Sequence, residues 1–600
     1  MIEMEEKKQG RIGRLFALRA QMPTRHPRAG RVLLALYPLF IVLVCELNQS
    51  QKFGDMFGFW FTRPTVLLFD VLLVGLIYAA FLLLFRRGHL AVLLTALPLY
   101  IFSCVEFFKC RTSGSHFVLG DLVMTTNASD IARFADIQIT PVLALCFFLV
   151  LGYWAAVFWL GPTLPLAGRR RFATLGTVAA VLVCFFAVPT VSAGAMDLFD
   201  IRAESAYNTF EQSDKFTSNQ MIANLVETAL SQNESLAKRE SDYRAYLNTA
   251  AAKSGRETAA AADYKKPNVV IVLSESYADF RALKELGVRD EIYQNADRVA
   301  AEGTSGTAAV PTFGGYTVRS EFELLFGLPV RSLYNAEIPH KLLKERAQAA
   351  FPRYYQSLGY ETTYLHPFSG TFYGRDKTYN NYGFDRMLFQ GDLSVPQKNY
   401  KTYTDDGCVF DQIEQLIDES DQPQMVFAMT MQNHQPYLDE NSSLTEIDYY
   451  LDKIHHTDEA LGRFITDLRA SDEPTIVLFM GDHFPSFTAS GDVYSQLGIG
   501  SDNCDVLYQQ RYLVWSNYGA DLSAFPTGEK VSSFYLPYLL LKTTGAPLTA
   551  DQNAALDEME RQPLYDYQFS QGDDLFWDML TYDVVLGDQA IRTLPQGSAQ

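Results

Sequence analysis

The sequence predicts a chain in two parts: five transmembrane helices, then a water-soluble, doubly wound α/β domain on the far side of the membrane. Three observations predict it. Five apolar runs crowd the first third of the 600 residues. If all five cross, the basic clusters between them fall on one side of the bilayer, as the positive-inside rule requires. From Pro267 onward, short apolar runs alternate with amphipathic helical segments, the pattern of strands and helices in a wound sheet. A chain of this length is also expected to hold two or more units.

Residues 1–31 form a basic N-terminus. Lys7, Lys8, Arg11, Arg14, Arg19, Arg25, Arg28 and Arg31 mark it cytoplasmic. The predicted membrane domain, 32–195, holds runs at about 32–47, 64–85, 89–108, 141–161 and 173–195. The second, fourth and fifth are long enough for a hydrocarbon core of about 30 Å. The first and third are shorter, reach Glu46 and Glu106 near their ends, and span if their basic flanks snorkel. Arg86 and Arg87, then Arg169, Arg170 and Arg171, join the N-terminus on the inner side, so the chain after about residue 196 lies outside. The first run is set too far in, and followed by too many others, for a cleaved signal peptide. By this topology Glu46, Asp70 and Glu106 share the outer-leaflet level, either at the water interface or as a polar pocket near lipid headgroups.

Residues 196–266 are polar and Ala-rich, with Met221, Leu225 and Leu230 at helical spacing, and read as a helical linker. The stretch 193-AGA-195 has the spacing of a signal-peptidase site but reads as an ordinary helix end. The soluble domain is expected over 267–545, followed by a C-terminal tail at 546–600. A net charge of −19 argues against nucleic acid as a partner, and no GxxxxGK[ST] stretch is present. Cys45, Cys104, Cys146 and Cys184 sit in apolar runs as small hydrophobes. None of the seven cysteines forms a CxxC pair, and a Cys408–Cys504 disulfide is left open.

Four strand-like runs end on reactive side chains. The run 268-NVVIVLSES-276 reaches Glu275, and 359-GYETTYLHP-367 reaches His366. The run 424-QMVFAMTMQNH-434 reaches His434, and 475-TIVLFMGDH-483 reaches Asp482 and His483. Ligands of open α/β sheets bind beyond the carboxyl ends of the strands, so these groups can meet in one pocket. Glu275, Asp482 and His483 offer two hard oxygens and one imidazole, a set that suits Mn²⁺ or Mg²⁺ and admits Zn²⁺. A hydroxyl beside such a cation is activated as a nucleophile. The first choice is Thr317, in 312-TFGGYTVRSEFELLFGLP-329, where Gly314 and Gly315 allow close backbone approach. Thr317 precedes a predicted helix whose N-terminus favours an anion. Thr304, Thr307, Thr312 and Ser320 are open rivals.

These residues occur within ordered motifs: Glu275–Ser276 at a strand end, GGxTxxxEFExLxG from Gly314, 366-HPFSGTFYGRDKTYNNYGFDR-386, 430-TMQNHQPY-437 and 481-GDH-483. Together with the five spans they resemble the lipoteichoic acid synthase and phosphoglycerol transferase group of the alkaline phosphatase/sulfatase superfamily, most firmly over about 265–490. The resemblance implies an extracellular alkaline-phosphatase-like (sulfatase) domain and one Mn²⁺ held by Glu275, Thr317, Asp482 and His483. Thr317 would be the nucleophile. His366, Tyr373, Arg375 and His434 would bind the phosphoglycerol group, with Arg375 and His434 also assisting catalysis. Arginine suits this task because it grips two phosphate oxygens at once. Histidine can protonate a leaving alkoxide or deprotonate an incoming hydroxyl. Tyr373 stands where relatives often have Trp, and LFG where many have LTG.

The implied partners are a phosphatidylglycerol donor, the membrane, and a glycolipid, polyglycerophosphate or glycan acceptor. The nearest rival is a phosphoethanolamine transferase, which shares five spans and a Thr nucleophile but typically uses zinc and several disulfides. A sulfatase would need Cys or Ser in CxPxR or SxPxR, and 310-VPTFGGYTVRS-320 has no Cys. A silent membrane scaffold would keep its phenotype when Thr317 is replaced by Ala.

Overall fold

The computed structural model describes residues 27–113, 116–118, 139–160, 168–203, 209–249, 256–333, 336, 338–438, 442–487, 493–566, 568–569 and 572–593. Most of the basic N-terminus therefore lies outside the described residues. The chain divides into two units. The first comprises residues 1–119, 135–205 and 213–234, and the second comprises the remainder.

The first unit is helical: α1 (Pro27–Ser50), α2 (Phe53–Thr62), α3 (Pro64–Phe85), α4 (Gly88–Ser113), α5 (Pro141–Leu160), α6 (Gly168–Ala187) and α7 (Pro189–Leu198). Five of these helices are long and apolar enough to cross a membrane: α1, α3, α4, α5 and α6. The fifth apolar run, read from sequence as one segment over 173–195, is divided at Val188. The cause is Pro189, which lacks an N–H and pushes the residue before it out of the helical region; Val188 has φ −119° and ψ 100°. Glu46, Asp70 and Glu106 are all buried within this unit. The segment read as a linker contains helix α8 (Thr209–Tyr246), interrupted at Gln220 (φ 59°, ψ −177°).

The second unit is built on an eight-stranded sheet in the order β10-β2-β9-β8-β1-β7-β3-β4. Its strands are β1 (Asn268–Ser274), β2 (Thr304–Ala309), β3 (Glu361–Leu365), β4 (Arg386–Leu388), β7 (Gln424–Met429), β8 (Thr475–Gly481), β9 (Gln509–Ser516) and β10 (Lys530–Ser532). A separate hairpin pairs β5 (Asn399–Tyr400) with β6 (Tyr403–Thr404). Strands β8, β1, β7, β3 and β4 run parallel, whereas β9 is antiparallel to both β8 and β2. The sheet is therefore mixed.

Alternate residues of β1 enter two different cores. Val269, Ile271 and Leu273 pack on one face, and Val270 and Val272 on the other. A strand covered on both faces needs apolar residues at every position, which is why these strands read as unbroken hydrophobic runs. The stretch after residue 546, read from sequence as a tail, packs into the same domain through Trp577, Leu580 and Val584. All seven cysteines are free, so Cys408 and Cys504 are not paired.

Candidate active site

Ser274 of β1 is in register with Gly481 of β8. Glu275 and Asp482 therefore leave adjacent parallel strands at the same level. Gly481 is required there: a Cβ would lie 1.7 Å from the carbonyl oxygen of Tyr277. Ser276 adopts φ 49°, a left-handed conformation that is costly for a residue with a side chain. The turn is fixed by hydrogen bonds to Asp482 Oδ1 from the backbone N–H groups of Ser276 (2.7 Å) and His483 (2.9 Å). Ser276 Oγ donates to Glu275 Oε1 at 2.8 Å.

His483 donates Nδ1–H to the Phe484 carbonyl at 2.9 Å, which fixes its tautomer and turns Nε2 toward the acids. That Nε2 lies 3.1 Å from Asp482 Oδ2 and 3.9 Å from Glu275 Oε1. Glu275, Asp482 and His483 each contribute one donor atom to a group within 4.8 Å. Asp482 Oδ2 and His483 Nε2 are both buried and without a hydrogen-bond partner. Orphaned polar atoms of this kind are rare in folded proteins and call for an explanation. A divalent cation supplies one, because a carboxylate, a second carboxylate and a neutral imidazole form an ordinary donor set for it.

The electrostatics point the same way. Burial raises the carboxyl of Glu275, and the neighbouring Asp482 raises it further. Burial pushes Asp482 up to about 7, while the nearby Thr317 hydroxyl and the N–H groups of Ser276 and His483 pull against that rise. Burial lowers His483 and keeps it neutral. With no cation, protons compete for the acids. A bound cation would make both carboxylates anionic.

Thr317 sits at the N-terminus of α9 (Val318–Phe326), where the loop before it turns sharply through Gly314 (φ 73°), Gly315 (φ 157°) and Tyr316 (φ 58°). The Thr317 hydroxyl donates to Glu275 Oε2 at 3.2 Å. The rival hydroxyls are placed differently. Ser320 donates to the Asp482 carbonyl and Thr312 to that of Gly315, while Thr304 and Thr307 lie in β2.

The remaining predicted residues line the next strand ends. His366 follows β3 and donates Nδ1–H to the Met429 carbonyl at 3.0 Å, leaving a buried Nε2 without a partner. Burial, then the charge of Arg375, lowers His366 far below the usual imidazole range. His434 donates Nδ1–H to the Gln435 carbonyl at 2.8 Å. Burial lowers it, and the facing carboxylate of Glu275 opposes that shift. Tyr373 also has a left-handed backbone (φ 58°), and the Arg375 guanidinium lies 5.0 Å from its ring centre.

Arg375 differs from the sequence expectation in how its donors are used. Its Nε and Nη2 both bond to Glu321 Oε1, at 3.2 and 2.5 Å. That edge of the guanidinium is therefore occupied, and Nη1 donates to the Phe372 carbonyl at 3.5 Å. Glu321 Oε2 accepts from Tyr364 and Tyr379 at 3.0 and 2.8 Å. Glu321 was given no role in the sequence reading. Its signal was an acid beside Phe322 and Leu325 on a helix with no exposed face. Lys453 was missed as well. It is fully buried in α10 (Glu446–Ala470) and donates to the carbonyls of His434 (2.7 Å) and Pro436 (3.4 Å).

Residues 267–546 match the sulfatase family model. A Rhizobium meliloti (strain 1021) protein named for cyclic beta-1,2-glucan modification is 26% identical over 304 residues, which is 47% of this chain and 46% of that protein. The lipoteichoic acid synthase of Staphylococcus saprophyticus is 24% identical over 241 residues, 37% of this chain and 36% of that one. The chain thus spans under half the length of these curated relatives. The integral membrane lipooligosaccharide phosphoethanolamine transferase A (EptA) of Neisseria meningitidis has the same fold. It matches with a TM-score of 0.52 and 15% identity, covering 86% of this chain and 95% of that one. Among the described residues, five helices long and apolar enough to cross a membrane give the chain the make-up of a multi-pass membrane protein.

Proposed function

We propose that the chain is a membrane-anchored phosphoglycerol transferase. It moves glycerophosphate from phosphatidylglycerol to a hydroxyl acceptor through a covalent intermediate on Thr317. The observation that carries this reading is the Thr317 hydroxyl set against Glu275 and beside Asp482, at the mouth of a helix N-terminus. A cation held by Glu275, Asp482 and His483, Mn²⁺ by our reading, would supply charge neutralisation for the phosphoryl oxygens and for the Thr317 oxygen.

Thr317 Oγ attacks phosphorus, its proton passes to the carboxylate side to which it already donates, and the bond from phosphorus to the diacylglycerol oxygen breaks. His434 supplies the proton that the leaving diacylglycerol oxygen needs. In the second half-reaction the same imidazole takes the proton from the acceptor hydroxyl, whose oxygen attacks phosphorus; the bond from phosphorus to Thr317 Oγ breaks, and Oγ regains the proton held on the carboxylate side. Arg375 meets the phosphoryl oxygens through the N–H donors of Nη1 and Nη2 that Glu321 and the Phe372 carbonyl do not use, held in place by Glu321. The buried Nε2 of His366, on a ring that burial keeps neutral and whose Nδ1–H is given to Met429, accepts a hydrogen bond from a substrate hydroxyl. Tethering the domain to a membrane raises the effective concentration of a lipid donor.

The acceptor is a glycolipid, a polyglycerophosphate chain or a glycan. The names of the two curated relatives, a lipoteichoic acid synthase and a glucan modification protein, favour a polymer or glycan. The catalytic domain faces the extracellular or periplasmic side. The test is transfer from phosphatidylglycerol labelled in its headgroup, run with full-length protein in nanodiscs and Mn²⁺. Wild type releases diacylglycerol and labels an added acceptor, and Thr317→Ala does neither. Release from phosphatidylethanolamine but not phosphatidylglycerol would overturn the donor assignment.

A further inference from the structure

The membrane-spanning unit carries a second cluster of metal-ligating side chains that the transfer chemistry does not use. Glu106 and Cys110 lie one helical turn apart on the same face of α4. His116 follows the end of that helix and folds back onto it. Its Nδ1 lies 2.7 Å from Glu106 Oε1. One donor atom from each of Glu106, Cys110 and His116 falls within 4.8 Å of the others. We propose that these three residues form a metal site of the zinc class, independent of the site at Glu275, Asp482 and His483.

The donors are held, not loosely gathered. The second carboxylate oxygen of Glu106 accepts the Phe117 N–H at 2.6 Å, so the acid cannot rotate away. The His116 ring lies flat on Phe216, with centres 3.8 Å apart and planes 6° apart. Lys109 ties the His116 carbonyl back to the helix at 2.5 Å. Glu106 and His116 are both buried. A plain Glu–His hydrogen bond would account for one contact, but it gives Cys110 no role. It also leaves His116 Nε2 buried without a partner, so the ring's orientation is set entirely from the Nδ1 side. An ion replacing the proton between Oε1 and Nδ1 needs those atoms to open to about 3.3 Å, the edge of a tetrahedron with bonds of about 2.0–2.1 Å. That is a shift of a few tenths of an ångström in two side chains.

The donor chemistry separates the two sites. The sheet-edge site offers no sulfur and suits a hard cation. A thiolate, an imidazole and a carboxylate select zinc over manganese or magnesium. Three protein donors leave a fourth tetrahedral position for water or an anionic oxygen.

The test uses Co²⁺ as the probe on the full chain in nanodiscs, because a cobalt–thiolate bond gives a sulfur-to-metal charge-transfer band that a site without sulfur lacks. The band is expected in wild type and in Asp482→Asn, which removes a donor from the other site. Cys110→Ser should abolish it and lower the bound cobalt by one ion per chain. His116→Ala should weaken cobalt binding by about 10-fold or more. Because a variant can misfold, the wild type supplies its own control. Zn²⁺ should slow alkylation of the partly exposed Cys110 by N-ethylmaleimide, and a chelator should restore it. No band and no protection of Cys110 in wild type would overturn the site, as would a band that survives in Cys110→Ser.

Discussion

Glu321 illustrates how a residue far from any ligand can decide what a binding residue does. Its carboxylate is fully buried and accepts hydrogen bonds from Arg375, Tyr364 and Tyr379. Removing one partner of such a pair leaves an uncompensated buried charge, at a cost of about 3–5 kcal/mol. Glu321→Gln keeps the shape and loses the charge, so we expect a lower Tm together with a raised KM for the lipid donor. A fall in Tm with an unchanged KM would show that Arg375 does not bind the substrate. Thr317→Ala should lower turnover by on the order of 10³-fold or more with little change in Tm, since it removes the proposed nucleophile and one weak hydrogen bond. Glu275, His366, His434, Asp482 and His483 could be picked out in the sequence because each ends an apolar run. Glu321 and Lys453 were harder to pick out, because local rules assign helical acids and bases to caps and solvent, whereas both are buried here.

Helices and strands place these side chains, and their terminal residues show how tightly. Gly327 closes α9 in a left-handed conformation (φ 59°), and a Cβ there would meet the ring of Tyr538 at 2.5 Å. Gly327→Ala combines backbone strain with overpacking, so we expect a loss of about 1–3 kcal/mol of stability, read by denaturant unfolding of the full chain. The carboxyl edge of the sheet also links stability to pH. Asp482 has an ordinary carboxyl value of 3.8 and is pushed up to about 7 in the fold. Between those values the metal-free fold keeps a proton that the unfolded chain has released. Its stability should therefore fall as pH rises from about 4 to about 7 and then level off. A cation replaces that proton, so the rise in Tm caused by Mn²⁺ should be larger at pH 8 than at pH 5.5. An Mn²⁺ effect independent of pH would place the ion elsewhere. The parallel strands were legible because both faces of the sheet are covered, which makes each strand an apolar run. The antiparallel direction of β9 was not, because an apolar run has the same composition in either direction.

For the whole molecule, the split between a hydrophobic first third and a soluble remainder was plain in composition, and the structure has five helices able to cross a membrane. The sidedness is a prediction from the basic clusters. A cysteine placed at the exposed Leu575 should react with a membrane-impermeant maleimide on intact cells. Labelling only after lysis would reverse the topology. The central claim is that Thr317 carries the transferred group. The most direct measurement is intact mass spectrometry of the full-length protein in nanodiscs after incubation with phosphatidylglycerol and Mn²⁺, without acceptor. The account predicts one glycerophosphate adduct per chain, mapped to Thr317 and absent in Thr317→Ala. Diacylglycerol release with no adduct on the wild-type chain, or an adduct that persists in Thr317→Ala, would contradict it.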